Sequence, residues 1–182
     1  MPQNGVVLLA DGFEEIEALA PVDVLRRAGL DILLASITGN RRVRGSHGIE
    51  VTADILLAEL ETIPDLLILP GGLPGAENLA GSREVIALIR DCAQANKLIA
   101  AICAAPIALE EAGIMKGKRF TCYPGFETRV QSGQYTAARV ECDGNIVTGK
   151  GPGAAMEFAI TLTAMTAGEN VAQRLRNGMM MA

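Results

Sequence analysis

Lys97-Leu98-Ile99-Ala100-Ala101-Ile102-Cys103-Ala104-Ala105-Pro106-Ile107-Ala108-Leu109 decides the fold. Its first half, through Ile102, is an unbroken apolar run, the mark of a strand buried on both faces. From Ala104 to Ala112 the pattern turns helical, and Cys103 alone joins the two. Outward from here the alternation repeats. Gly5 to Ala10 reads as a buried strand that Asp11-Gly12 ends, followed by a helix from Glu14 to Ala28 with Gly29 as its stop. Pro21 lies inside that helix and is expected to kink or split it. Asp31 to Ile37 reads as a strand, and Val43 to Val51, with Gly45 and Gly48, as a small hairpin. Leu66 to Leu69 is a strand closed by Pro70-Gly71-Gly72. Helical signals run from Gly75 to Ala95, broken near Gly81-Ser82, with Ser82 as N-cap. Phe120 to Tyr123, Ala138 to Cys142 and Asn145 to Thr148 read as strands. Ala154 to Ala167 reads as an apolar helix, and the tail through Arg176 can add another. Such repetition predicts an α/β fold: a mostly parallel sheet covered by helices on both faces. With no repeat, low-complexity tract or linker, residues 1–182 read as one domain.

Composition excludes several classes. Of 182 residues, 49% are hydrophobic and 20% charged, enough aliphatic material for a core and too much for a disordered chain. The net charge of −5, with no basic block longer than Arg41-Arg42, leaves no footprint for general nucleic-acid binding. No stretch reaches the roughly 18 consecutive apolar residues of a membrane span. Met1 to Gly5 lacks a secretory start. Cys92, Cys103, Cys122 and Cys142 match no zinc or redox spacing, and a lone His47 cannot anchor a His-based metal cluster. The expectation is a cytoplasmic, thiol-bearing globular protein with no metal and no cofactor.

In a doubly wound sheet, ligands collect at the carboxyl ends of strands. Three segments belong there: Asp11 to Glu17, Pro70 to Gly75, and Cys103 to Pro106. Cys103 sits where a nucleophile elbow would be, with small neighbours on both sides. The adjoining helix N-terminus is expected to lower its pKa. The competing reading is an ordinary buried cysteine. Glu17 shares its helix face with Phe13, Glu14, Ala20, Pro21, Val24 and Ala28, a largely apolar stripe, whereas Glu15 falls on the far side with Arg26. A carboxyl on that stripe is expected to have a raised pKa. The alternative is that Glu14, Glu15 and Glu17 all complement the helix dipole, which is favoured for the first two. If Pro70 to Gly75 neighbours Cys103, the N–H groups of Gly72 and Ala104 could form an oxyanion hole. Lys150-Gly151-Pro152-Gly153 lacks phosphate-loop spacing and reads as a turn that opens the last long helix. Arg26-Arg27 matches a helix C-terminus, with phosphate binding a minority reading. Cys92, Cys122 and Cys142 read as inert thiols, and His47 as an exposed loop residue.

Three stretches resemble the ThiJ/PfpI superfamily, in the branch of the parkinsonism-associated protein deglycase and its bacterial relatives. They are Leu9-Ala10-Asp11-Gly12-Phe13-Glu14-Glu15-Ile16-Glu17, Leu69-Pro70-Gly71-Gly72-Leu73-Pro74-Gly75 and Ala100-Ala101-Ile102-Cys103-Ala104-Ala105-Pro106. Pro21 to Gly29 and Gly151-Pro152-Gly153 match as well. The resemblance implies a flavodoxin-like sandwich of the class I glutamine amidotransferase type, usually a homodimer. It also implies a readily oxidised cysteine at Cys103, a protonated carboxyl at Glu17, and backbone donors at Gly72 and Ala104. The activities it implies are a cofactor-free glyoxalase III, protein deglycation, chaperoning and protection against oxidative stress. Substrates would be small carbonyl compounds or glycated side chains. One departure stands out: where the branch often carries a His, this chain has Tyr123, a poor general base at neutral pH. Tyr123, His47 and Arg27 remain possible accessory residues, His47 falling where relatives carry an anion-contacting Arg. The leading expectation is a Cys103–Glu17 enzyme of 2-oxoaldehydes or their adducts. The alternatives are a redox sensor or stress chaperone working through Cys103 and, less favoured, a cysteine peptidase or amidase.

Overall fold

The computed structural model describes residues 4–181. Met1 to Gln3 and Ala182, which the N-terminal reading and the 1–182 range include, lie outside the described residues. In chain order the main elements are β1 (Asn4–Leu9), α1 (Glu15–Arg27), β2 (Asp31–Ser36), β3 (Arg42–Arg44), β4 (Glu50–Thr52), β5 (Ile55–Leu56) and β6 (Leu66–Leu69). There follow α2 (Gly75–Gly81), α3 (Arg83–Gln94), β7 (Leu98–Ile102), α4 (Pro106–Glu111), β8 (Arg119–Phe120) and β9 (Gln134–Tyr135). The chain closes with β10 (Val140–Asp143), β11 (Ile146–Gly149), α5 (Ala155–Ala167) and α6 (Glu169–Gly178).

One seven-stranded sheet runs in the order β10-β11-β7-β6-β1-β2-β5 and is parallel except for β10, which is antiparallel to β11. Every residue of β6 and β11 is buried, as unbroken aliphatic strands require when both faces are covered. The chain crosses from β1 to β2 in one direction and from β6 to β7 in the other. Right-handed crossovers therefore put α1 and α3 on opposite faces. Helix α5 packs on α1 and α6 on α5, while α2 and α4 pack with α3. Phe13, Phe120 and Phe158 are fully buried among aliphatic side chains. This winding places the carboxyl ends of β1, β6, β7 and β11 side by side.

The strand–helix alternation read from the sequence is the observed one, with differences that have physical causes. Pro21 neither ends nor splits α1, which continues to Arg27. Burial of Ala18, Val22, Val24 and Leu25 outweighs the roughly 3 kcal/mol that an interior proline costs. The strand expected over Phe120 to Tyr123 ends at Phe120, because the Tyr123 N–H bonds to the Cys103 carbonyl instead of a neighbouring strand. Edge strand β5 and the short β9 carry too few residues for a periodic signal. The Arg42–Thr52 hairpin forms as expected, and Ser82 caps α3 through its hydroxyl, which accepts from the Val85 N–H at 3.3 Å.

Replacing Ser82 with Ala removes that cap. The variant is expected to lose about 1 kcal/mol in urea unfolding, without a change in the slope against denaturant.

Candidate active site

Cys103 joins β7 to the turn before α4 with a φ of +64°, in the left-handed region that L-residues rarely occupy. Bonds on both sides hold it there. Its N–H donates to the Gly149 carbonyl at 2.9 Å, its carbonyl accepts the Tyr123 N–H at 2.9 Å, and the Ala105 N–H closes on Ile102 O at 3.1 Å. The neighbouring strand β11 and the segment after β8 thus lock the expected elbow. Its side chain is 8% exposed, in contrast with Cys92 and Cys122, which are sealed in the core.

Glu17 reaches Cys103 from α1. Glu14, which the dipole reading placed in the first turn, is instead the N-cap: its Oε2 accepts the Glu17 N–H at 2.7 Å. The Glu17 side chain is fully buried, its Oε2 accepting the Gly71 N–H at 2.9 Å and its Oε1 lacking a well-formed hydrogen bond. Desolvation pushes this carboxyl up to about 7, despite the hydrogen bond it shares with the Cys103 side chain and the Gly71 N–H, both of which pull it down. Gly71 is what lets the pieces meet. A Cβ there would lie 2.6 Å from the Cys103 Cβ and 2.7 Å from Glu17 Oε2. Gly72, with φ +86°, passes so close to α1 that a Cβ would lie 2.5 Å from the Glu14 nitrogen.

The lowered thiol pKa expected from the helix N-terminus is not what the site produces. Burial, together with the adjacent Glu17 charge and hydrogen bond, pushes the Cys103 thiol up to about 12. The N–H groups of Gly72 and Ala104 act in the opposite sense, as expected of a donor pair facing the sulfur. Helix α4 has only six residues and starts three positions later, so its dipole is too small and too far to win. When Glu17 holds its proton, its charge no longer opposes the thiolate and its O–H can donate to sulfur. The two groups therefore titrate as a pair.

A cavity of about 250 Å³ opens above the sulfur, lined by Cys103, Ala104, Gly72, Leu73, Glu14, Ser46, His47, Tyr123, Phe126 and Pro152. The structure thus brings Cys103, Glu17, Gly72 and Ala104 together and adds Tyr123 and His47 at the rim. Arg27 stands apart. It is exposed in the last turn of α1 and paired with Asp23 at 2.8 Å, which corrects its inclusion as an accessory. Glu15 also departs from the wheel argument. It is buried, with Oε1 accepting the His47 N–H at 2.8 Å and Oε2 lying 2.7 Å from His47 Nδ1. Its partner lies 32 residues away on the hairpin, which helical geometry alone cannot reveal. Leu73 comes with the Pro70 to Gly75 turn, whereas Phe126 escapes the sequence reading, since no local pattern separates cavity residues from other loop apolars. Glu14, Glu15 and His47 bring ligand-type atoms within 4.8 Å of one another. Both Glu15 oxygens and Glu14 Oε2 already accept hydrogen bonds, so the cluster is a poor fit for a metal.

Residues 5–165 match the DJ-1/PfpI family. A Danio rerio protein named Parkinson disease protein 7 homolog is 39% identical over 179 residues, covering 96% of this chain and 95% of that protein. The crystal structure of Drosophila melanogaster DJ-1beta has a TM-score of 0.96 at 36% identity, covering 100% of both chains. A Caenorhabditis elegans protein named glutathione-independent glyoxalase DJR-1.2 is 32% identical over 160 residues, covering 86% of this chain and 84% of that protein.

The raised carboxyl makes a stability prediction. Glu17 binds its proton more tightly folded, at about 7, than at its ordinary 4.5. Its contribution is complete below pH 4.5 and is lost as pH rises through 7. Glu17→Gln is therefore expected to match the native protein in acid and to exceed it above neutrality by up to about 3 kcal/mol. Urea unfolding at a series of pH values reads the difference.

Proposed function

The chain belongs to the DJ-1/PfpI family, and from that premise we propose that it is a cysteine-dependent, cofactor-free glyoxalase acting on 2-oxoaldehydes such as methylglyoxal. Deglycation of aldehyde adducts is the same addition chemistry on a larger substrate. The observation that supports the reading is a pairing beneath the cavity: a left-handed Cys103 that lines it, beside a buried Glu17 whose carboxyl titrates near neutrality. The name of the Caenorhabditis elegans relative supports it.

The sulfur adds to the aldehyde carbon, and the oxygen that develops charge is met by the N–H groups of Gly72 and Ala104. The thiol proton passes through Glu17 to that oxygen, giving a hemithioacetal. Moving the C1 hydrogen to C2 as a proton oxidises C1 and reduces C2 within one molecule, so no external redox partner is needed. The resulting thioester of the 2-hydroxy acid is hydrolysed by water, which returns the free thiol. A carboxyl near 7 suits these steps, since it is present in both protonation states at neutral pH. Peptidase chemistry is disfavoured: the Cys103 thiol is paired with Glu17, and the chain's single imidazole, His47, is not among its hydrogen-bond partners.

The same reading takes residues 1–182 as one domain of a cytoplasmic homodimer. Four free cysteines suit a reducing compartment, and no helix among the described residues is long and apolar enough to cross a membrane. A second reading, a peroxide sensor, draws on the placement of the thiols. Cys103 opens to the cavity beside two backbone donors that could hold an oxidised sulfur, whereas Cys92 and Cys122 are sealed.

Purified protein is expected to form lactate from methylglyoxal without glutathione. Cys103→Ser should abolish turnover and Glu17→Gln should lower kcat by about 10²-fold or more. An inert native protein with its Cys103 shown to be reduced would sink the enzyme reading. For the sensor, mass spectrometry at low peroxide should find oxygen added at Cys103 before the other three thiols. Equal oxidation of all four argues against it.

A further inference from the structure

Conversion of the hemithioacetal needs a proton donor at the C2 oxygen, one carbon further from the sulfur. Glu17 lies on the sulfur side and handles the C1 proton. Across the cavity is His47, which lines the same space as Cys103 while its side chain stays 70% exposed. Its ring is held by a buried carboxylate. Glu15 Oε2 lies 2.7 Å from Nδ1, and Ser46 Oγ also reaches Oε2, at 3.4 Å. The other oxygen, Oε1, takes the backbone N–H groups of His47 at 2.8 Å and Ile49 at 3.4 Å. The two oxygens divide the work: Oε1 fastens the β3–β4 turn, a task that does not require an imidazole, while Oε2 is spent on the ring. A carboxylate on Nδ1 sets the ring so that Nδ1 carries a hydrogen and Nε2 is the titrating atom.

We propose that His47 is the second proton-transfer group of this site, its Nε2 acting on the C2 oxygen, with Glu15 as the positioning residue. The proposal rests on the glyoxalase reading above. As the Glu17 carboxylate takes the C1 hydrogen as a proton, imidazolium Nε2–H gives its proton to the C2 oxygen, leaving an enediol on sulfur. Neutral Nε2 then takes the proton from the C1 hydroxyl as the C1 carbonyl forms, and Glu17 returns its proton to C2. Both residues end as they began, and the substrate has only been rearranged to the thioester.

The electrostatics fit the role. The hydrogen bond to Glu15 and its charge raise the His47 pKa, keeping the acid form present near neutrality. Burial works to raise Glu15, but the His47 ring and backbone hydrogen bonds leave it below its ordinary value. Among the described residues, Glu14 at the N-cap of α1 also lies within 4.8 Å of the His47 cluster, Cys103 and Tyr123 share its cavity, and Arg44 on β3 lies beside Gly48 in the same turn.

The test compares methylglyoxal turnover from about pH 5 to 9 in native protein, His47→Gln, and His47→Ala with and without added imidazole. Iodoacetamide alkylation of Cys103 is followed in each. The ring is exposed and the backbone N–H that bonds Glu15 remains, so these variants keep the hairpin. The native rate should fall as pH rises through the His47 titration. His47→Gln should lose about 10²-fold in kcat with little change in KM, lose that alkaline fall, and keep its alkylation rate. Imidazole should restore part of the rate of His47→Ala. Full turnover and an unchanged pH profile in His47→Gln, with Cys103→Ser inactive, overturns the His47 assignment and leaves the glyoxalase standing. An inert native protein overturns both.

Discussion

The hydrogen bond from the Gly71 N–H to Glu17 Oε2 joins the turn after β6 to α1, and everything at the site is arranged around it. On one side of Gly71 stands the Cys103 Cβ, on the other the carboxylate, and a methyl group in between would touch both. The bond also decides the carboxyl's chemistry. It satisfies one oxygen and leaves the other buried without a well-formed partner, so the charged form is undercompensated and the proton is retained to higher pH. A fully satisfied carboxylate would remain ionised and would repel a thiolate beside it.

Cys103 and Glu17 are best understood as one titrating unit. Each is raised by burial; the Glu17 charge and hydrogen bond raise Cys103 further, whereas the hydrogen bond with Cys103 pulls Glu17 down. Between about pH 7 and about pH 12 the pair therefore carries one proton, held on the sulfur. The donors at Gly72 and Ala104 bias the negative charge toward sulfur, and they are backbone groups that cost no side-chain ordering. The left-handed backbone at Cys103 persists because its own N–H and C=O bond to Gly149 and to Tyr123, two segments distant in sequence.

Helix α1 and its N-cap residue supply three carboxyls with separate duties. Glu14 caps the helix, Glu15 holds the hairpin turn and the His47 ring, and Glu17 faces the sulfur. Successive side chains on a helix point 100° apart, so adjacent glutamates are delivered to different neighbours. That division makes a short acidic run into an N-cap, a tether and a proton carrier, each with its own environment.

By itself the sequence determined the order of strands and helices, the elbow at Cys103 and the inward face of Glu17. Those features follow from periodicity, turn residues and side-chain direction, all local properties of the chain. The glycine turn was legible as a donor loop, and the recurrent motifs carried the family. Only the tertiary structure decided that Glu15 binds His47, that Arg27 points away, and that Gly71 must lack a side chain. It also reversed the expected sign of the Cys103 shift, because desolvation depends on the layers that cover an atom rather than on its neighbours in the chain. Partner identity and burial are set when segments tens of residues apart pack together, and no reading of one helix or one turn contains them.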